Sequence, residues 1–117
     1  MMSKVFTVFA MSALVLASFA RASANEAVFD KCIASDRHDV CFAAMSTYEE
    51  RMRHAGSHSE FCNLAIRYAT LQGYDAALQQ STQEHKMAID SIKMLIVKCD
   101  EPVKSLGRKL LQSFRDK

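Results

Sequence analysis

The sequence contains no tryptophan, a single proline and only three glycines, and these shortages argue against several classes of fold. It also lacks runs of alternating β-branched residues, which a sandwich or barrel of short strands would need. Apolar residues recur instead three and four positions apart along most of the chain. The sequence therefore predicts an all-α protein, and we expect a small, disulfide-stapled bundle of four to five helices.

Residues 1–24 have the pattern of a cleaved secretory signal peptide. Lys4 precedes an apolar run over residues 5–20, and the following Ala22-Ser23-Ala24 places small residues where a signal peptidase cuts. The apolar run is shorter than the about 20 residues that a membrane-spanning helix needs. We therefore expect cleavage after Ala24, a single mature domain over residues 25–117, and a secreted, extracellular protein.

Cleavage would remove the excess of positive charge from the chain. The full sequence carries 15 basic and 13 acidic side chains, and Lys4 and Arg21 leave with the signal peptide. The mature chain is then formally neutral, so we expect no nucleic-acid partner.

The four cysteines, Cys32, Cys41, Cys62 and Cys99, all lie in the mature domain. An even number of cysteines in a small exported domain predicts two disulfides. No pair has the Cys-x-x-Cys spacing of a zinc knuckle, so we expect no metal and no other cofactor. His54 and His58 are four residues apart, but a predicted turn separates them, which favours structural or surface roles.

Local signals place the helices. We predict helices over residues 25–35, 39–53, 59–80 and 82–98, with Asp39 capping the second and Gly73 weakening the third. Ser57 with Glu60, and Ser81 with Glu84, have the spacing of capping boxes, in which the serine hydroxyl accepts a backbone N–H and the glutamate reaches back to the cap.

The predicted helices specify a disulfide pairing. In an antiparallel hairpin that turns near Ser81, Cys62 and Cys99 face each other, and the corner at residues 36–38 brings Cys32 beside Cys41. A Cys41–Cys62 bond would join helix ends roughly 15–20 Å apart, whereas bonded cysteines need Cα atoms within about 7 Å. The predicted pairs are therefore Cys32–Cys41 and Cys62–Cys99, provided that the third helix does not break at Gly73.

The string His38-Asp39-Val40-Cys41-Phe42 resembles the active-site motif of secreted phospholipases A2. That resemblance implies that His38 activates a water molecule and that Asp39 helps to hold calcium. Phe61-Cys62-Asn63 is similar to the family's second helix, but Asn63 stands where the family has the aspartate that orients the histidine. No glycine occurs in residues 25–37, so the glycine-rich calcium loop is missing. These departures favour a protein without catalytic residues.

A basic segment near the C-terminus predicts a fifth, amphipathic helix. Leu106, Leu110 and Phe114 form its apolar stripe, and Lys104, Arg108 and Lys109 lie beside or opposite that stripe. A helix of this kind either closes the bundle or binds a partner protein or an anionic membrane. Lys104, Arg108, Lys109 and Phe114 are therefore the candidate partner or membrane surface.

Three functions remain open on these observations. The first is a secreted non-enzymatic protein that binds an unknown protein or receptor, as a venom toxin or a salivary, defence or signalling component does. The second is a carrier of small hydrophobic ligands, and the third is a degenerate phospholipase A2-like protein. An apolar cavity above about 300 Å³ would favour the carrier, and a solid core with an exposed patch would favour the partner-binding protein.

Overall fold

The computed structural model describes residues 22–115, with side chains from residue 27 onward, and this part of the chain contains helices and no strands. The five helices are α1 (Ala22–Ser35), α2 (His38–Arg53), α3 (His58–Gln79), α4 (Thr82–Lys98) and α5 (Val103–Arg115). The predicted all-α bundle of four to five helices is confirmed.

The predicted signal peptide lies almost entirely outside the described residues. Its apolar run, residues 5–20, is not described, and the predicted cut after Ala24 falls in the first turn of α1. Within residues 22–115, no helix combines the length and the apolar character that crossing a bilayer requires.

Serine caps open the two long helices, although the predicted capping boxes form only in part. The Ser57 hydroxyl accepts the backbone N–H of Glu60 at 3.0 Å, and the Ser81 hydroxyl accepts that of Glu84 at 3.2 Å. The Glu60 carboxylate accepts the backbone N–H of Gly56 at 2.8 Å, one residue before the predicted position. The Glu84 carboxylate accepts a hydrogen bond from the Gln79 side-chain amide of α3 instead of from a backbone N–H at the cap. Each serine still satisfies one free donor at its helix start.

The start of α2 differs from the prediction. The helix begins at His38, and Arg37 occupies the N-cap position without a side-chain cap. Asp39, expected to be the cap, lies in the first turn, and both of its carboxylate oxygens accept hydrogen bonds from the Arg37 guanidinium, at 2.8 and 3.1 Å. A negative charge there still suits the positive end of the helix dipole.

Two disulfides hold the bundle. Cys32–Cys41 joins α1 to α2 across the corner, with the two Cα atoms 4.5 Å apart. Cys62–Cys99 joins the start of α3 to the end of α4, with the Cα atoms 6.0 Å apart. These are the two pairs that the hairpin geometry predicts, and all four sulfur-bearing side chains are buried.

The helix α3 runs through the middle of the bundle and separates two apolar cores. On one side, Tyr48 of α2 and Leu71 of α3 pack around the Cys32–Cys41 disulfide. On the other side, Ile92 of α4 and Val103 of α5 pack around Cys62–Cys99. Because α3 contributes to both cores, its 22 residues must continue without a break.

Two glycines permit close helix packing. A Cβ atom on Gly73 would overlap the ring of Phe114, and a Cβ atom on Gly107 would lie 2.8 Å from Ile96 Cγ1. Gly73 is buried inside a continuous α3, so the helix does not break at that position. Its role is to let the end of α5 lie against the backbone of α3.

Candidate functional site

A groove of about 470 Å³ lies on the side of α3 that α5 reaches. Its lining is mainly apolar and comes from α1, α3, the α3–α4 corner, the start of α4 and the end of α5. We call this feature the apolar groove; its lining residues are Ile33, Thr70, Gly73, Tyr74, Ala76, Ala77, Gln80, Ser81, Thr82, His85 and Phe114.

Small residues on α3 create the space of the apolar groove. Gly73, Ala76 and Ala77 follow one another along the helix surface and leave room that larger side chains would fill. The ring of Phe114, packed on Gly73, contributes an aromatic surface to the groove. Volumes of roughly 300–1,000 Å³ with a predominantly apolar lining are typical of small-molecule sites.

A polar contact fixes the α1 side of the groove. The Tyr74 hydroxyl is hydrogen-bonded to the Asp36 carboxylate and lies 3.1 Å from the carbonyl oxygen of Ile33. Asp36 has a left-handed backbone, with φ of 53°, which turns the chain between α1 and α2. The hydrogen bond to Asp36 is the main cause that raises the pKa of Tyr74, and partial burial and the Asp36 charge act in the same direction. Ile33 and Tyr74 are thereby held together in the groove lining.

The start of α4 supplies three of the polar side chains in the groove lining. Ser81 caps the helix, Thr82 begins it, and His85 follows within the first turn. The His85 ring lies 6.0 Å from the Phe114 ring, centroid to centroid, at a tilt of 52°. A ligand with an apolar body and one polar group would therefore find its hydrogen-bonding partners concentrated where α4 begins.

A histidine–aspartate pair lies between α2 and α3. Nδ1 of His38 is 2.9 Å from each carboxylate oxygen of Asp75. Asp75 is 1% exposed, and one of its oxygens also accepts the side-chain amide of Gln79 at 3.0 Å. The His38 side chain is 48% exposed, so its ring connects a buried carboxylate to the protein surface.

The pKa of His38 is raised, mainly by the hydrogen bond to Asp75. Partial burial of the ring lowers this pKa, whereas the negative charges of Asp75, Glu84 and Asp39 raise it further. A histidine oriented by a buried carboxylate has the arrangement of a general base. The same His38–Asp75 contact is equally an ion pair that connects the start of α2 to the second half of α3.

The structure changes the roles that the phospholipase resemblance implies. The carboxylate that orients His38 comes from Asp75, which lies twelve residues after Asn63, a separation of about 18 Å along a helix. The Asn63 amide donates instead to the carbonyl oxygen of Ser59. Asp39, which the resemblance makes a calcium ligand, has both carboxylate oxygens hydrogen-bonded to Arg37, and this contact lowers the Asp39 pKa.

The predicted partner or membrane surface on α5 is not a single face. Phe114 is half-buried against Gly73, and the Lys104 ammonium donates to the carbonyl oxygen of Ile96 at 2.5 Å. Arg108 lies 3.9 Å from Glu101, and Lys109 is exposed. Of the predicted stripe, Leu110 and Phe114 pack against the bundle while Leu106 is exposed. The helix α5 therefore closes the bundle. Its basic side chains Arg108 and Lys109 are exposed, while Lys104 contacts α4.

Exposed apolar side chains occur on α4, where Met87, Met94 and Val97 are 49%, 57% and 76% exposed. Phe42 on α2, 59% exposed, lies near His38 with the two ring centroids 5.9 Å apart.

The sequence patterns predict neither the apolar groove nor the role of Asp75 as the hydrogen-bond partner of His38. Asp75 is an acidic residue within an otherwise largely apolar stretch of α3, and this interruption is the signal in the sequence that marks it. Comparisons of this chain with protein-family models, with curated proteins and with solved structures find no significant match.

Proposed function

We propose that the protein is a secreted, non-enzymatic binding protein that carries a small, largely apolar molecule in the apolar groove. The groove itself is the observation that supports this proposal, because its volume of about 470 Å³ exceeds the roughly 300 Å³ expected of a small-molecule site. Residues from α1, α3, α4 and α5 line it, so the assembled bundle is needed to form it.

The chemistry of the lining indicates the class of ligand. Apolar groups such as Ile33, Ala77 and Phe114 favour an apolar body, since transfer of apolar surface out of water drives binding. Ser81, Thr82 and His85 offer hydrogen bonds at the start of α4. A small molecule with a hydrocarbon or aromatic body and one polar group satisfies both.

Two observations support secretion. Stable disulfides form in oxidising compartments, and Cys32–Cys41 and Cys62–Cys99 use every cysteine of the sequence. The signal-peptide pattern of residues 1–24 adds to this. A carrier outside the cell would move poorly soluble molecules through an aqueous medium.

One observation favours a second candidate, a phospholipase-like hydrolase. His38 is oriented by a buried carboxylate, as a general base requires. Against it, Asp39 is engaged by Arg37. Calcium-dependent hydrolysis of a phospholipid that is lost in His38→Gln would establish this candidate, and absence of calcium binding would end it.

The carrier proposal is tested with N-phenyl-1-naphthylamine, a neutral apolar dye whose fluorescence rises when it leaves water. We expect saturable binding of one dye per chain to the wild-type protein. Ala77→Trp fills the apolar groove and should abolish that binding. Ala43→Trp is the matched control, because Ala43 is an exposed alanine of α2 that lines a different depression, of about 380 Å³, between α1 and α2.

Two results would contradict the proposal: the absence of saturable dye binding, or equal binding by the Ala77→Trp and Ala43→Trp variants. Circular dichroism of both variants would show that each tryptophan leaves the helices intact.

A further inference from the structure

His58, Cys62 and Cys99 bring three metal-ligating side chains together where α3 begins and α4 ends. We call them the sulfur–histidine cluster. Their ligand atoms, the imidazole nitrogen and the two Sγ atoms, all lie within 4.8 Å of one another. Cys62 and Cys99 are buried, whereas His58 is exposed at the edge of the cluster.

The position of His58 is fixed by two contacts. Its Nε2 donates to the carbonyl oxygen of Lys98 at 2.8 Å and lies 3.5 Å from Cys62 Sγ. His58 and Cys62 are one helical turn apart, which places both side chains on the same face of α3. The imidazole is therefore held beside the disulfide by a bond to the neighbouring helix.

The spacing between His58 and Cys62 suits a tetrahedral ion, whereas the two bonded sulfur atoms must first move apart to share one. With Zn–S bonds of about 2.3 Å and Zn–N bonds of about 2.0 Å, nitrogen and sulfur ligands of one tetrahedral zinc ion lie about 3.5 Å apart. The Nε2 to Cys62 Sγ distance already has this value to within about 0.1 Å. A depression of about 260 Å³, lined in part by Asn63 and Asp100, adjoins the cluster and leaves space for a fourth ligand.

We propose that the sulfur–histidine cluster binds zinc once the Cys62–Cys99 disulfide is reduced. A dithiol reductant would transfer two electrons and two protons to the disulfide and become a disulfide itself, leaving two thiols. A zinc ion would then displace both thiol protons and bind the two thiolates. The His58 proton moves from Nε2 to Nδ1, so the hydrogen bond to the Lys98 carbonyl oxygen is exchanged for a bond from the Nε2 lone pair to zinc, which makes His58 the third ligand.

The cluster differs from the other disulfide and from the apolar groove. Within residues 22–115, Cys32 and Cys41 belong to no comparable group of three metal-ligating side chains. Cys62 lies eight residues before Thr70, the first α3 residue of the groove, which is about 12 Å along the helix. The zinc site is therefore independent of the carrier function, and either proposal can fail without the other.

The test uses the full mature chain, reduced with a phosphine and titrated with Co²⁺, which reports tetrahedral thiolate ligation through its absorption spectrum. We expect one Co²⁺ per reduced chain, with thiolate-to-cobalt charge-transfer bands that Zn²⁺ displaces, and no such bands in the oxidised protein. His58→Gln should weaken binding by at least about tenfold, since even partners of metal ligands contribute that much.

Two further variants assign the signal. His54→Gln is the matched control, because His54 is an exposed histidine four residues earlier that contacts Glu50 instead of sulfur. Cys32→Ser combined with Cys41→Ser removes the other pair of thiols and should leave cobalt binding unchanged. If reduction unfolds the chain, zinc should restore helical circular dichroism to wild type more readily than to His58→Gln.

The proposal is overturned if the reduced wild type shows no charge-transfer bands. It is also overturned if His58→Gln binds cobalt as tightly as His54→Gln, or if zinc fails to restore helix to a chain that reduction has unfolded.

Discussion

The ring of Phe114 at the end of α5 lies directly on the backbone of Gly73 in the last third of α3, with no room for a Cβ atom between them. This contact closes the bundle and places an aromatic surface in the apolar groove. The same two residues therefore determine both how α5 packs and what a ligand would touch.

The contact predicts coupling between the two positions. Gly73→Ala should destabilise the wild-type protein by about 1–2 kcal/mol, because the added methyl group displaces the ring and overpacking exceeds the gain in helix propensity. In a Phe114→Ala background the same substitution should stabilise the protein by about 1 kcal/mol, since only the propensity term remains. Urea denaturation of the four proteins measures the coupling. Equal effects of Gly73→Ala in both backgrounds would contradict the contact.

The His38–Asp75 pair predicts a pH dependence of stability. Because the Asp75 hydrogen bond raises the His38 pKa above its ordinary value of 6.5, the ion pair contributes its full stability below that pH. The contribution is lost as the pH rises through the higher pKa of the folded state. We expect the wild-type free energy of unfolding to fall over this interval more steeply than that of His38→Gln.

An NMR titration of the His38 ring protons checks the cause of that dependence. The midpoint should lie above 6.5 in the wild type and fall in Asp75→Asn, which keeps the shape of the side chain but removes its charge. A midpoint that Asp75→Asn leaves in place would show that the aspartate does not hold the proton on His38.

The two disulfides should contribute unequally to stability. Cys62–Cys99 spans 37 residues and Cys32–Cys41 spans 9. On the chain-entropy model, their removal costs about 4 and about 2.5 kcal/mol respectively. Paired cysteine-to-alanine variants, compared by chemical denaturation, measure the difference. A larger loss from the Cys32 and Cys41 pair would show that native contacts outweigh loop length.

Local chemistry made much of the fold predictable. The spacing of Ser81 and Glu84 marks the start of α4, and the predicted span of 82–98 agrees with the observed Thr82–Lys98. With that hairpin in place, the facing positions of Cys62 and Cys99 follow from the rise per residue. These features depend on residues close in sequence or on one turn, so the sequence contains the necessary information.

The candidate site depends on contacts between distant segments, and these were not predictable. Gly73 has the pattern of a helix weakness until Phe114, 41 residues later, is seen to occupy the space above it. Asp75 is an isolated acid until the corner before α2 brings His38 to it. The apolar groove exists because four helices converge, and no short motif encodes such a volume.

Binding of a small apolar molecule in the apolar groove can be observed residue by residue in ¹H–¹⁵N NMR spectra recorded during titration with N-phenyl-1-naphthylamine. We predict that the largest shifts fall on the amides of Gly73, Ala77, Ser81 and His85, and that they saturate at one dye per chain. Shifts centred on the α2 depression around Ala43 or on the α5 residues Arg108 and Lys109, or no saturable shifts at all, would contradict it.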